Sequence, residues 1–205
     1  MKLVCIGRNY RAHAAELGNA VPGEPVIFLK PSTALVPPGE PIPLPPFSRE
    51  VHHEVEVVVA IGKRCRNVSA RDAMDYVEGL TIGLDLTARD VQEELKRKGL
   101  PWEKAKAYDG SAVVAQRRIG VGLVDLEKGV DFRLLRNGAV VQQGRTNDMV
   151  HPIPDLIAYA SKYMTLEPGD LLFTGTPEGV GPLAPGDKLD AFLGEEHLLS
   201  ISVAD

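Results

Sequence analysis

The segment from His52 to Gly62 (HHEVEVVVAIG) constrains the fold more than any other stretch of the chain. It predicts a β-strand, because it is rich in valine and isoleucine and ends on a glycine. Alternate side chains of a strand share a face, so Glu54 and Glu56 point the same way, roughly 6 to 7 Å apart. Their face continues as Val58 and Ala60. This pattern predicts a strand that is buried on both faces for most of its length.

The two glutamates of this strand need a partner if they are buried. Burying an unpaired carboxylate costs much free energy, and a hard divalent cation is one of the few partners that satisfies two carboxylates at once. A half-exposed strand with two solvated glutamates fits the same segment. The segment alone leaves both interpretations open.

Length and charge limit the class of protein. The chain has 205 residues and no Ser/Gly-rich linker, so we expect a single domain over residues 1–205. The net charge is −5 and no long basic run is present, which argues against a nucleic-acid partner. We therefore expect a small-molecule partner.

Cysteine use and hydropathy indicate the compartment. Cys5 and Cys65 are the only cysteines and form no C-x-x-C pair, which is typical of a reducing compartment. No segment approaches the roughly eighteen apolar residues of a membrane span. We expect a soluble cytoplasmic or organelle-matrix protein with no membrane partner.

Glycine and proline punctuate the chain and supply 20 and 16 of its residues, which favours many short elements over a helical bundle. A helix is predicted between Gly7 and Gly18, with Asn9 as its N-cap. Thr87 is predicted to cap a second helix that runs to Lys98, with Asp90 at the capping-box position. Asn137-Gly138 predicts a β-hairpin between two apolar runs.

His13 and Glu16 lie three residues apart on one face of the first predicted helix. At this spacing a carboxylate can hydrogen-bond an imidazole, raise its basicity and fix its tautomer, which prepares the histidine to act as a general base. An ordinary surface pair has the same spacing.

Asp85 ends a predicted strand, Leu80–Leu86, where the chain passes into the second helix. An aspartate there could join Glu54 and Glu56 as a third oxygen ligand of a metal ion. A turn or cap residue is the alternative.

Other candidates for substrate contact follow Asp85. Arg89 and Gln92 share a helix face, placed to meet the acidic part of a ligand. Lys106, in a predicted loop over residues 99–110, is either a cation beside a developing enolate or a solvated lysine. The Gly/Pro-rich loop with Thr174 and Thr176 lets backbone N–H groups approach an anion closely.

Several segments, in this order, resemble the fumarylacetoacetate hydrolase family, and specifically its short acylpyruvase/oxaloacetate decarboxylase branch. The resemblance covers almost the whole chain, and the segments are GRNY at 7–10 with His13 and Glu16, FLKP at 28–31, HEVE at 53–56, DLTARDVQ at 85–92, Lys106, and TGTPEGVG at 174–181.

The resemblance implies an α+β, mostly β fold: a mixed β-sandwich or roll, like the C-terminal domain of fumarylacetoacetate hydrolase, with peripheral helices. It implies a homodimer and a Mg²⁺ or Mn²⁺ ion as cofactor. The roles it implies are metal binding for Glu54, Glu56 and Asp85, catalysis for His13, Glu16 and Lys106, and substrate binding for Arg8, Tyr10, Arg89, Gln92 and Thr176.

The implied activity is divalent-metal-dependent hydrolysis of a carbon–carbon bond in acylpyruvates, which yields pyruvate and a carboxylate. The same pyruvate enolate would serve decarboxylation of oxaloacetate. The substrate is expected to be a small 2-oxo acid or 1,3-dicarbonyl acid. Two alternatives remain: an isomerase/decarboxylase of unsaturated 2-oxo diacids, and a non-catalytic metal-containing β-module.

Overall fold

The structure, a computed structural model, describes residues 1–18 and 20–205. No helix in this part of the chain is long and apolar enough to cross a membrane. The helices are α1 (Arg11–Glu16), α2 (Arg89–Arg97), α3 (Glu103–Lys106) and α4 (Ile153–Tyr163). The strands are β1 (Leu3–Gly7), β2 (Val26–Lys30), β3 (Val51–His53), β4 (Val55–Ile61), β5 (Val77–Asp85), β6 (Thr87–Ala88), β7 (Ala112–Val114), β8 (Asp131–Arg136), β9 (Ala139–Arg145), β10 (Leu171–Phe173), β11 (Gly181–Pro182), β12 (Lys188–Leu193) and β13 (Glu196–Ser202).

The strands form two main sheets and a small third one. The six-stranded sheet has the order β2-β1-β10-β4-β5-β7, and the four-stranded sheet has the order β13-β12-β8-β9. β11, β3 and β6 make a short three-stranded sheet. The predicted α+β, mostly β fold with peripheral helices is confirmed.

The apolar core joins the two main sheets. Val55 and Val57 of β4 belong to the same buried cluster as Phe132 and Leu134 of β8 and Leu189 of β12. Burying one such side chain contributes about 1.5–3 kcal/mol. This packing fixes β4 and β5 as rigid supports for the side chains at their ends.

The predicted strand over residues 52–62 is interrupted at Glu54. β3 pairs with β11 and β6, whereas β4 pairs with β5 and β10. The chain therefore changes sheets at Glu54, which the uniform β pattern of the segment does not reveal. Every residue of β4 is buried, which confirms the predicted burial on both faces.

The hairpin predicted at Asn137-Gly138 is confirmed. Both residues adopt positive φ, 53° and 83°, as a two-residue turn between strands β8 and β9 requires. The predicted loop over residues 99–110, by contrast, contains α3.

Both predicted helix caps are wrong. α1 begins at Arg11 after Tyr10, and the Asn9 side-chain amide instead donates to the carbonyl oxygens of His151 (3.0 Å) and Thr174 (2.8 Å). The Asn9 amide therefore bonds to carbonyl oxygens that are distant in the sequence and does not cap the helix. Local sequence does not reveal these partners.

The second cap fails for a similar reason. Thr87 lies in β6, and its hydroxyl oxygen accepts a hydrogen bond from Lys106 Nζ at 2.6 Å. Asp90 accepts a hydrogen bond from the Ser48 hydroxyl at 2.6 Å. Both side chains that were predicted to cap α2 therefore form hydrogen bonds with residues distant in the sequence instead.

Candidate functional site

Three carboxylates meet where β4 begins and β5 ends. The antiparallel register places Glu56 opposite Gly83, and the Asp85 N–H donates to the Glu54 carbonyl oxygen at 2.8 Å. One oxygen from each of Glu54, Glu56 and Asp85 lies within 4.8 Å of the others, and all three residues are buried. The set predicted from two separate segments therefore comes together on one face of the sheet.

Glu56 is the carboxylate of this group that lacks a cationic partner. Burial raises its pKa well above the usual range, and the negative charges of Asp85 and Glu54 add to the effect. The Gly175 N–H donates to Glu56 Oε2 at 2.7 Å, and no basic side chain of the described residues lies within ion-pair distance. Clustered carboxylate oxygens of this kind are the donors that Mg²⁺ and Mn²⁺ prefer, so the set fits the implied cation.

Glu54 has the opposite electrostatic environment. Burial alone would raise the pKa of its carboxyl group, but Lys106 and Arg89 outweigh that effect and hold the pKa well below the usual range. Lys106 Nζ donates to Glu54 Oε2 at 2.8 Å and to Asp85 Oδ2 at 2.6 Å. The interpretation of Lys106 as a solvated lysine is therefore wrong, since its ammonium group is buried among acidic oxygens.

Lys30 is a second buried ammonium group, to which the sequence reading assigned no role. Its Nζ donates to the carbonyl oxygens of Ser111 (2.8 Å) and Leu86 (3.2 Å) and contacts that of Lys106. It also forms an ion pair with Asp85 Oδ1 at 2.8 Å, although that oxygen accepts no hydrogen bond. Its place at the end of the apolar strand VIFLK gives no local sign of this role, because a lysine at an exposed strand end has the same sequence pattern.

His13 and Glu16 make the contact that their spacing predicted. His13 Nδ1 lies 3.2 Å from Glu16 Oε2, and the His13 side chain is buried in the cavity wall. Glu16 Oε1 also accepts the Gly179 N–H at 3.0 Å. α1 is thereby joined to the loop that follows β10, and Glu16 is placed to orient the imidazole.

One cavity gathers most of the predicted site residues. Arg89 contacts Glu54 and donates to Gln92 Oε1 at 2.6 Å. Tyr10 and Glu16 are the exceptions, since neither lines the cavity. Tyr10 packs edge-on against Phe132, with ring centroids 6.1 Å apart, and Glu16 contacts the cavity residue His13. The predicted residues that line the cavity are Arg8, His13, Glu54, Glu56, Asp85, Arg89, Gln92, Lys106 and Thr176.

Gln142 is a further site residue that the sequence reading missed. Its side-chain oxygen accepts hydrogen bonds from the Val55 N–H (3.0 Å) and His53 Nδ1 (2.9 Å), and its amide donates to Thr176 Oγ1 (2.9 Å). It therefore fixes Thr176 against the start of β4. A glutamine within a hairpin strand carries no local signal for this role.

The chain matches, over residues 2–204, the family described as fumarylacetoacetate (FAA) hydrolase C-terminal. It is 49% identical over 194 residues to a Bos taurus protein named oxaloacetate tautomerase FAHD1, mitochondrial, which covers 92% of this chain and 85% of the relative. A fumarylpyruvate hydrolase from Pseudomonas aeruginosa, solved with Mn²⁺ and pyruvate, has a TM-score of 0.91 at 33% identity, covering 100% of this chain and 89% of its own. A 5-carboxymethyl-2-hydroxymuconate delta-isomerase from Mycobacterium smegmatis has a TM-score of 0.85 at 39% identity. The match covers 99% of this chain and 78% of the isomerase chain.

Proposed function

This chain belongs to the fumarylacetoacetate hydrolase family, and from that premise we propose that it is a divalent-metal-dependent enzyme that interconverts the keto and enol forms of oxaloacetate. The observation that carries the proposal is the buried set of Glu54, Glu56 and Asp85 in one cavity with Lys106. The sequence alone favoured acylpyruvate hydrolysis with oxaloacetate decarboxylation. The name of the bovine relative supports tautomerisation as the primary reaction.

The metal ligands would be the three carboxylates, and the chemistry supplied by bound Mg²⁺ or Mn²⁺ would be Lewis-acid polarisation of the keto oxygen. Arg89 and Gln92 would orient the substrate carboxylate, because Arg89 presents its planar guanidinium group to the cavity. The Lys106 ammonium group would favour negative charge on oxygen, since it is held in place by Asp85 and Glu54.

His13 would move the proton. Its Nδ1 faces the Glu16 carboxylate at 3.2 Å, and a hydrogen bond donated there leaves the Nε2 lone pair free. Nε2 would take the proton from C3 of oxaloacetate, and the C3–H electron pair would become the C2–C3 double bond of the enolate. The imidazolium would then deliver that proton to the C2 oxygen, which completes the enol, and the reverse sequence would restore the keto form.

Acylpyruvate hydrolysis is a second candidate, and the His13–Glu16 contact favours it specifically. The same oriented imidazole could remove a proton from a water that attacks the C4 carbonyl, which splits the substrate into pyruvate and a carboxylic acid. Oxaloacetate decarboxylation needs no such water. Isomerisation of unsaturated 2-oxo diacids, the reaction class of the Mycobacterium smegmatis protein, remains the other alternative.

The test is a panel of reactions with the Mg²⁺- or Mn²⁺-loaded protein. The rate of loss of enol absorbance reports oxaloacetate tautomerisation, and separate assays follow pyruvate release, CO₂ release and diene isomerisation. We expect His13→Ala to lower kcat by about 10²- to 10⁴-fold with metal still bound. The control is His197→Ala, which removes an exposed histidine.

Two outcomes would overturn the proposal. A metal-loaded wild-type protein that accelerates none of these reactions is not this enzyme. A His13→Ala variant with unchanged kcat would leave the non-catalytic metal-containing module as the better account.

We also propose, from the family resemblance, that residues 1–205 form a single domain and that two copies assemble as a homodimer. The monomer mass is 22.2 kDa. Light scattering is expected to give twice that mass, and unfolding is expected to show a single transition.

A further inference from the structure

Two cations in the wall of the cavity remain without a partner. Lys96 and Arg8 both line it, and both are half-buried. Within residues 1–18 and 20–205, neither has a carboxylate within 4.0 Å, whereas Arg89 and Lys106 are both paired with Glu54. An anion that binds beside a half-buried cation without a counter-ion forms a charge-assisted hydrogen bond with it, which stabilises the complex.

Both cations are held against the same aromatic ring. Arg8 Cζ lies 5.7 Å and Lys96 Nζ 5.9 Å from the centroid of the Trp102 ring. Cation–π contacts of this length favour a fixed position for each charge. Trp102 itself lines the cavity and packs edge-on against Phe28, so the charges stand beside an apolar wall.

The backbone of Arg8 supports a role for its side chain. Its φ is 61°, in the left-handed region that residues other than glycine rarely adopt. Strained residues of this kind cluster at binding sites, where the surrounding structure holds them.

Lys96 continues a row of ligand-facing residues along α2. It follows Arg89 and Gln92 at the spacing i, i+3, i+7, which places the three on one helix face. The Cα atoms of Arg89 and Lys96 are separated by roughly 10 Å along the axis, but long helical side chains point back towards the N-terminus. The Lys96 ammonium group therefore extends towards the part of the cavity that Arg89 lines.

The electrostatic environment of Lys96 favours the binding of an anion. Burial lowers the pKa of its ammonium group, and the positive charges of Arg89 and Arg8 lower it further. An anion between these cations would relieve that repulsion.

We propose that Lys96 and Arg8 form a second anion site that binds the distal carboxylate of a dicarboxylic 2-oxo acid. This inference rests on the proposed function, in which the metal and Arg89 take the 2-oxo acid end. It makes Lys96 a specificity-determining residue that selects diacids such as oxaloacetate over neutral-tailed 2-oxo acids.

The test compares ligands with and without the second carboxylate on the Mg²⁺-loaded protein. For Lys96→Met we expect the KM for oxaloacetate and the dissociation constant of 2-oxoglutarate to rise about tenfold or more. The dissociation constant of pyruvate, which has no second carboxylate, should stay unchanged. Lys96→Arg should restore most of the diacid affinity, and Lys104→Met, which removes an exposed lysine of α3, should change neither.

The assignment of Lys96 would be overturned if Lys96→Met changed the dissociation constants of pyruvate and 2-oxoglutarate equally. It would also be overturned if the variant left the KM for oxaloacetate and the dissociation constant of 2-oxoglutarate unchanged. A failure of the proposed function looks different. In that case the wild-type protein does not turn over oxaloacetate, while the 2-oxoglutarate and pyruvate titrations still decide whether the second anion site exists.

Discussion

Replacing Lys30 by methionine tests whether this buried lysine stabilises the end of β5 that carries Asp85. The substitution keeps the length and apolar stem of the side chain but removes the ammonium group. That group lies 2.8 Å from Asp85 Oδ1 and donates to the carbonyl oxygens of Leu86 and Ser111. The variant therefore leaves a buried carboxylate and several buried carbonyl groups with fewer partners.

The remaining contacts determine the size of the effect. Breaking a buried ion pair by removing one partner costs about 3–5 kcal/mol. Asp85 keeps Lys106 on its other oxygen, and the Ser111 carbonyl oxygen still accepts the Leu86 N–H at 2.9 Å. We therefore expect the lower end of that range, about 3 kcal/mol. For a chain of this length, about 3 kcal/mol lowers Tm by roughly 6–12 °C.

The measurement is chemical and thermal unfolding of the metal-free protein, followed by a titration with Mg²⁺. On the proposed function Asp85 would gain a new partner when a cation binds, so saturating Mg²⁺ should restore part of the lost stability. Lys63→Met, which removes an exposed lysine, should leave the transition unchanged. A loss below about 1 kcal/mol for Lys30→Met would show that the ion pair with Asp85 contributes little and would refute this reasoning.

Three further predictions concern the carboxylates and the packing of the sheet. Glu56→Gln should weaken Mn²⁺ binding by at least about 100-fold in calorimetry, because even the outer partners of metal ligands contribute about 10- to 100-fold to metal affinity. Glu40→Gln, at an exposed position, should leave the Mn²⁺ affinity unchanged. Equal Mn²⁺ affinities of Glu56→Gln and wild type would exclude Glu56 as a ligand. Gly83→Ala should lower the free energy of unfolding in urea by about 1–3 kcal/mol, because the added Cβ would lie 2.7 Å from a backbone oxygen of β7. The control is Gly120→Ala, whose Cβ would have open space around it. Equal unfolding midpoints for the two variants would contradict the predicted overpacking at Gly83. Although burial opposes the shift, hydrogen bonds from a lysine and two backbone N–H groups lower the pKa of Asp170, so its ionised form stabilises the fold above the unfolded-state pKa of about 3.9. That contribution is lost as pH falls through the lowered folded-state pKa, so the stability difference between wild type and Asp170→Asn should narrow below about pH 4, and a constant difference would refute the linkage.

Local sequence was sufficient where neighbouring residues decide the structure. The Asn137-Gly138 turn and the buried strand β4 follow from backbone preference and from the spacing of apolar residues. The His13–Glu16 contact follows from helical spacing alone.

Local sequence was insufficient where a distant group competes for a side chain. Asn9 and Thr87 have the composition of helix caps, yet their hydrogen bonds go to Thr174 and Lys106, which are remote in the sequence. The break in the strand at Glu54 has the same origin, because it depends on which sheet each half joins.

The sequence by itself determined the mostly β fold, the family and the acidic residues that could bind a cation. Only the tertiary structure decided that Lys30, Gln142 and Lys96 belong to the same site. Their positions depend on strand pairing and helix packing between segments far apart in the chain, and a buried lysine or glutamine has the same local sequence signal as an exposed one.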